Sequence, residues 1–289
     1  MNKIHDIDPQ QLALQHCIKG ESGCSWYHGN WHLLKSLGVV STSAVHENTI
    51  SHLLQLALAG KTAPRILLTG STDETLVRLV HNTCSDLGIQ EKLFAVDICA
   101  TPLMFMQAYA KENQIELVTY HCDVLKFEAE KNFDIILTHA FMGYFDATQR
   151  PLLMEKWHQL LSDSGKIITI QRVRPADSSA LVKFSAAQAS TFVDSAIDAA
   201  KSSGLTTQTE IDSIKSAATE FANRFVSHAI TSKSALESLF TNAELVFDLL
   251  EYHRLERKGV LSGPSVPSNA EFAHIIAGKT PGTSCQLKN

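Results

Sequence analysis

The sequence predicts an α/β protein, a mostly parallel sheet with helices on both faces. Three observations predict it. From residue 64 onward, short apolar runs alternate with amphipathic stretches, and near-continuous apolar strands joined by short turns belong to sheets covered on both sides. The first run, Arg65-Ile66-Leu67-Leu68-Thr69, ends in the turn Gly70-Ser71-Thr72-Asp73-Glu74. The second, Leu93 to Val96, delivers an acid, Asp97. A glycine lets the backbone approach a ligand, and an acid closing the second strand can hold ribose hydroxyls, so this order is how an open α/β sheet builds a nucleotide site.

The elements follow in order. Gln10 to Ile18 and His46 to Ala59 have helical apolar spacing. Between them lies Cys24-Ser25-Trp26-Tyr27-His28-Gly29-Asn30-Trp31-His32, rich in aromatics and histidine, and Lys61-Thr62-Ala63-Pro64 breaks the chain before the first strand. Strand one is Ile66 to Thr69, followed by a helix from Glu74 to Leu87 with Leu76, Val77, Leu79 and Val80 among its apolar positions. Strand two is Leu93 to Asp97, and Pro102 opens a helix to Lys111, where its missing N–H costs nothing. Glu116 to His121 is strand three and Phe133 to Thr138 strand four. A helix from Gln149 to Leu161 closes at Asp163-Ser164-Gly165, and Lys166 to Val173 is strand five. After Pro175, the Ala/Ser-rich stretches Ala180 to Ser203 and Glu210 to Ile230 read as a helical insertion with no strand between them. Ser234 to Leu239 is a helix, Glu244 to Glu251 a strand, Gly263-Pro264-Ser265-Val266-Pro267 a loop, and Phe272 to Ala277 the seventh strand. The organisation expected is an N-terminal helical and aromatic arm or lid over residues 1–63, a core over 64–279 with its insertion at 176–230, and a tail over 280–289.

The bulk numbers narrow the function classes. A hydrophobic content of 44% with 19% charged residues suits a globular chain with a substantial core and excludes wholesale disorder. A formal net charge of -5 offers no basic field to a phosphate backbone, so no nucleic-acid partner is expected. The cysteines at 17, 24, 84, 99, 122 and 285 form no C-x-x-C pair and several lie in apolar runs, which reads as reduced, mostly buried thiols and a cytoplasmic protein. Met1 to Gln11 is too polar for a signal peptide, and no apolar run approaches the roughly 20 residues of a membrane span, so no membrane association is expected.

At this point the sequence resembles the class I S-adenosylmethionine-dependent methyltransferases, over about Pro64 to Lys279. The resemblance implies a Rossmann-like seven-stranded sheet whose last strand is antiparallel, with S-adenosyl-L-methionine as cofactor. It places the Gly70 turn beside the methionine part of the cofactor, with Thr69, Ser71, Thr72 and Asp73 around it. It places Asp97 and Ile98 at the ribose, and Cys122-Asp123-Val124 at the adenine. Phe133-Asp134-Ile135-Ile136-Leu137-Thr138-His139 matches strand four and its exit toward cofactor and acceptor, and Leu160-Leu161-Ser162-Asp163-Ser164-Gly165-Lys166-Ile167 the turn into strand five. Two departures stand out. Ser71, Thr72 and Asp73 replace the further glycines of the loop, and Thr138-His139-Ala140-Phe141 replaces the Asn-Pro-Pro-aromatic signature of many enzymes that methylate amino groups or nucleic acids.

Methyl transfer needs alignment and, for a hydroxyl acceptor, a base. His139 is the candidate base, because imidazole titrates near neutral pH; oxygen is the acceptor expected on that ground. Trp26, Tyr27, His28, Trp31, Phe141 and Tyr144 are candidate contacts to a small-molecule acceptor, the first four as a lid or as anchors of the N-terminal helices. Asp73 and Glu74 equally suit the start of a helix, Asp97 and Asp123 equally suit a cap and a turn. Cys24, His28 and His32 have i, i+4, i+8 spacing, but Gly29 weakens a helix there and a fourth ligand is not apparent, so no metal site is expected. The insertion reads as a cover or as the surface of a homodimer. Two other readings compete: a nicotinamide-dependent oxidoreductase, which needs a G-x-G-x-x-G that Gly70-Ser71-Thr72-Asp73-Glu74-Thr75 does not supply, and a methyltransferase-like scaffold that binds without chemistry.

Overall fold

The computed structural model describes residues 8–20, 23–40, 43–174, 180–205, 207–254 and 270–280. The predicted loop at Gly263 to Pro267 and most of the predicted tail lie outside the described residues. In chain order the elements are α1 (Pro9–His16), α2 (Ser25–Ser36), α3 (Glu47–Leu58), β1 (Arg65–Thr69), α4 (Thr75–Asp86), β2 (Lys92–Asp97), α5 (Ala100–Glu112), β3 (Leu117–His121), β4 (Phe133–His139), α6 (Gln149–Leu160), β5 (Leu161–Val173), β6 (Leu181–Val182), α7 (Ala186–Ser202), α8 (Gln208–Arg224), β7 (Ser227–His228), α9 (Lys233–Thr241), β8 (Leu245–His253) and β9 (Glu271–Lys279). Seven strands form one sheet in the order β3-β2-β1-β4-β5-β9-β8. The pairs from β3 to β5 are parallel. β9 is antiparallel to both of its neighbours. The fold is therefore the Rossmann-like, mostly parallel sheet that the sequence predicts.

Alternation along each strand divides the core. Leu67, Ile136 and Ile167 point to one face, packed with Trp157 of α6 and Phe240 of α9. Leu68, Leu137 and Ile168 point to the other, packed with α3 and α4 through Leu53, Leu54, Val77 and Val80. A third cluster lies apart from the sheet: Trp31 and Leu34 of α2 pack on Phe192, Ala196, Phe221 and Ala222 of α7 and α8. The N-terminal helix and the insertion thus bury each other's apolar faces and make one cap.

Some boundaries differ from expectation for identifiable reasons. The Cys24 to His32 stretch is helical despite Gly29, because α1 crosses there: a Cβ on Gly29 would already touch Ala13 Cβ at 3.4 Å and Gln10 Cα at 3.5 Å. α7 starts later than predicted and α8 slightly earlier, each at a capping box, Ser185 with Gln188 and Thr207 with Glu210. The predicted helix to Ile230 stops at Arg224, and Ser227–His228 pairs instead with Leu181–Val182 in a two-residue ladder. β5 begins at Leu161, so the predicted Asp163-Ser164-Gly165 turn is taken up in a register irregularity of the β4–β5 pairing.

Candidate functional site

The strand order reverses between β1 and β4, and ligands in open α/β sheets bind outside the carboxyl ends of the strands at such a point. Two adjoining cavities lie there, of about 460 Å³ and about 180 Å³. They share the Gly70-Ser71-Thr72 loop, Tyr27, Tyr144, Phe225 and Val226.

The larger cavity gathers the ends of β1, β2 and β3. Asp97, Ile98, Asp123 and Val124 line it with Gly70, Ser71 and Thr72. One Asp97 oxygen accepts from the Cys99 backbone N–H at 2.8 Å. The other has no protein donor among the described residues. Burial lifts this carboxyl from its usual range to about 6, outweighing the Cys99 bond. Asp123 accepts from Leu125 N at 3.0 Å and so caps the short turn at Val124–Lys126 while still facing the cavity. Gly70 has φ of +64°, and a Cβ there would fall 1.9 Å from the Phe141 ring. This single position therefore needs glycine twice over, for its backbone and for Phe141.

The smaller cavity gathers the ends of β4 and β5 and the segment after α8. His139, Gln171, Arg172, Arg174, Ser227 and His228 line it, with Phe225, Ile230 and Phe272 as apolar walls. The Arg172 guanidinium lies 5.0 Å from the Phe272 ring centroid. Asp73 also reaches this wall, but its charge is paired with Lys35. Gln171 is buried, and its Oε1 has no hydrogen-bond partner. The chamber therefore presents one unsatisfied acceptor, Gln171 Oε1. β4 leaves the sheet through Ala140, held at φ +52°, a left-handed conformation that non-glycine residues adopt at a cost of about 1 to 2 kcal/mol.

Between the cavities stands a hydrogen-bonded bridge. Tyr144 Oη donates to Tyr27 Oη at 3.0 Å, and Tyr27 Oη lies 3.3 Å from Thr72 Oγ1. Burial raises the Tyr27 phenol well above its ordinary pKa, so it stays neutral near pH 7.

Several predicted roles are corrected by this geometry. Thr69 lines neither cavity; it is fully buried in a row with Thr138 and Thr169 on β4 and β5, and none of these three hydroxyls has a partner. Asp73 has both oxygens engaged by protein: Oδ2 accepts from Trp31 Nε1 at 2.9 Å and Lys35 Nζ at 2.7 Å, and Oδ1 from Thr75 N at 2.9 Å. The Lys35 ammonium holds that carboxyl below its usual range despite burial. It is an anchor for α2, not a free partner for a cationic ligand. Trp31, through the same bond, anchors α2, although its edge reaches the smaller cavity. Trp26, His28 and Phe141 line the larger cavity and not the smaller one, and Tyr27 and Tyr144 face both. Trp26 packs edge-on against Phe221 of the cap at 5.7 Å.

His139 does not keep the near-neutral imidazole on which its candidacy as a base rested. Its Nε2 is 3.0 Å from His46 Nδ1. Burial, reinforced by His46 and Arg172, pushes its pKa from 6.5 to about 3. Such an imidazole is a neutral hydrogen-bond partner and a poor proton acceptor at neutral pH. The argument for an oxygen acceptor loses its base.

Arg150 was not singled out from the sequence. It sits in the first turn of α6 and is buried. Its guanidinium donates to three carbonyls: Met142 O at 3.1 Å, Ala229 O at 3.1 Å and His228 O at 2.6 Å. It braces the turn after β4 against the strand that follows α8, and so holds the smaller cavity's two walls together. Its sequence context, Thr148-Gln149-Arg150-Pro151, carries no signal for this beyond a charge in an otherwise apolar helix face. The four-residue constellation of Cys17, Cys24, His28 and Cys99 was also not foreseen; all four ligand atoms lie within 4.8 Å of one another. His32 is not among them; its ring lies 4.2 Å from that of Phe105.

No family model matches the sequence. No curated protein matches it either. Solved structures do match. One is LepI in complex with S-adenosylhomocysteine and a substrate analogue, at 12% identity and a TM-score of 0.47, over 78% of this chain and 46% of that one. The chain thus spans about half the length of that protein. Another is magnesium protoporphyrin IX methyltransferase from Synechocystis with bound S-adenosylhomocysteine, at 9% identity and a TM-score of 0.48, over 82% and 84% of the two chains. A third is the N-methyltransferase NodS from Bradyrhizobium japonicum, in complex with S-adenosylhomocysteine, at 12% identity and a TM-score of 0.48, over 80% and 87%. Likeness at this level says nothing of what this chain binds or turns over. In strand order, and in its antiparallel last strand, the chain has the Rossmann-like fold of the class I S-adenosylmethionine-dependent methyltransferases.

Proposed function

We propose that this protein is an S-adenosylmethionine-dependent methyltransferase whose acceptor is a small molecule carrying a hydroxyl or amine that Gln171 accepts from. The observation that carries the reading is the pair of cavities meeting at one loop: Asp97 and Asp123 line the first, Gln171 with its unsatisfied Oε1 the second, and Gly70 to Thr72 belong to both. The donor set fits the cofactor. Asp97 keeps one oxygen for hydroxyl donors, and Asp123 keeps one for an amino donor.

When bound, S-adenosylmethionine supplies a methyl group already activated on a sulfonium sulfur, so the protein's task is alignment. Asp97 and Asp123 hold the nucleoside end. Gln171 Oε1, near the end of β5, accepts from a hydroxyl or amine on the acceptor. Tyr27 and Tyr144 fix the boundary across which the two ligands face each other. The aromatic walls exclude water from that boundary.

Calorimetry with S-adenosylmethionine tests the first half. A charge-assisted hydrogen bond contributes about 1.5 to 3 kcal/mol, so Asp97→Ala should weaken binding on the order of 100-fold. Unchanged affinity would refute the assignment of Asp97. Gln171→Leu tests the second half: it should leave cofactor affinity alone and weaken acceptor binding, and unchanged acceptor binding would refute the assignment of Gln171.

A further inference from the structure

We infer that Cys17, Cys24, His28 and Cys99 form a tetrahedral site for a zinc-class divalent metal ion that fastens the N-terminal helices to the β2–α5 loop. The four residues come from three places. Cys17 follows the last turn of α1, Cys24 and His28 stand one turn apart at the start of α2, and Cys99 precedes α5. In sequence they are separated by six, three and seventy residues, so only the fold brings them together.

Their spacing is that of ligands around one ion. Cys24 Sγ lies 3.5 Å from Cys99 Sγ, Cys99 Sγ lies 3.5 Å from Cys17 Sγ, and Cys17 Sγ lies 3.4 Å from His28 Nδ1. Zinc bonds of about 2.3 Å to sulfur and about 2.0 Å to nitrogen give tetrahedral edges of about 3.8 Å between sulfurs and about 3.5 Å from sulfur to nitrogen. Cys17 and Cys99 are almost wholly buried, so a shielded interior awaits the ion. A fifth polar group, Thr101 Oγ1, lies 3.2 Å from Cys17 Sγ and can donate to that sulfur once it is a thiolate. Three soft sulfurs and one imidazole select zinc over the hard cations magnesium and calcium. On binding, the three thiols release three protons to solvent and the imidazole binds neutral. The bonded centre then carries one net negative charge, and no electron changes hands.

The consequence reaches the larger cavity. Cys99 N–H donates to Asp97, and His28 lines the same cavity as Asp97. An ion at this site sets the position of the loop that carries Asp97 and the entry angle of α2, which carries Tyr27. This inference stands apart from methyl transfer: it concerns metal content, and either one can fail alone.

The test is made on the reduced full chain. Plasma mass spectrometry of protein purified with zinc present should find one zinc per chain. Replacement by cobalt should give thiolate-to-cobalt charge-transfer absorption with the visible bands of a tetrahedral ion, and chelator should remove both. Cys24→Ser should weaken cobalt binding at least tenfold, whereas Cys84→Ser, a buried thiol outside the cluster, should not. If Cys24→Ser fails to fold, the cobalt spectrum of the unmodified protein decides. The inference is overturned if the reduced protein binds neither zinc nor cobalt stoichiometrically, if the cobalt spectrum lacks the thiolate band, or if peptide mapping of freshly purified protein finds Cys24 and Cys99 joined as a disulfide.

Discussion

The two cavities are neighbours with opposite origins. The larger one is made where consecutive β-α units turn over, at Gly70, Asp97 and Asp123, and its chemistry is acidic. The smaller one is made where the sheet meets the cap, at the end of β5 and the segment from Phe225 to Ile230, and it presents the unsatisfied Gln171 Oε1. The first depends on regular elements placed by hydrophobic periodicity. The second depends on a few long-range hydrogen bonds. A fold can therefore keep one chamber nearly fixed while the other is rebuilt by changes in the cap.

The sharpest way to break that contrast is at Arg150. Arg150→Met removes the guanidinium from three carbonyls; Met142 O keeps the Phe145 N–H at 3.2 Å, while the half-buried carbonyls of His228 and Ala229 lose this donor at about 1 to 3 kcal/mol each. A loss of about 3 kcal/mol in denaturant unfolding is expected, with acceptor binding lost before cofactor binding; equal loss of both would show that the chambers are not separately supported. Gly70→Ala strikes the other side. The left-handed φ alone costs about 1 to 2 kcal/mol, and the Phe141 contact adds to it. Gly70→Ala combined with Phe141→Ala should recover part of the cofactor affinity that Gly70→Ala loses, and no recovery would refute the contact.

These two positions also show what the sequence tells and why. Gly70, Asp97 and Asp123 were legible because a strand's end fixes where its next residue goes, and apolar periodicity marks the strand's end. Phe141 and the first four cap residues were legible as important but not as to chamber, because side-chain direction after a turn depends on the turn's dihedrals. Asp73 was misread because its partners, Trp31 and Lys35, come from α2, about forty residues earlier. His139 was misread because an imidazole's pKa is set by burial and by His46, which no local pattern announces. Arg150 was invisible because its acceptors are backbone carbonyls, which every residue has.

A smaller effect is expected at the boundary. Tyr144→Phe removes the donor to Tyr27, a loss of about 1 kcal/mol. Because the bond faces both chambers, cofactor and acceptor affinities should fall together by a similar factor, unlike the one-sided losses from Asp97→Ala and Gln171→Leu. The smallest effect at neutral pH comes from the His46–His139 pair, whose folded-state pKa values are depressed from 6.5 to about 4 and about 3 by burial and neighbouring positive charge. Both are neutral in the folded protein and take up protons more readily when unfolded. Their contribution to stability is therefore complete above pH 6.5 and is lost as pH falls from there toward 3. His139→Asn should flatten that acid limb of a denaturation-midpoint profile while leaving the midpoint at pH 8 within a few tenths of a kcal/mol of its difference at pH 7.

The helix that carries Tyr27 also gives the molecule an optical property. Of three tryptophans, Trp26 and Trp31 stand on α2 with ring centroids 5.5 Å and 5.1 Å from that of Tyr27, while Trp157 is sealed in the sheet core. Intrinsic fluorescence from this chain is thus divided between a constant signal from the interior and a variable signal from the wall between the two cavities. A change in emission on adding a ligand reports on that wall, without any label, and a quencher that dims the α2 pair while sparing Trp157 separates the two.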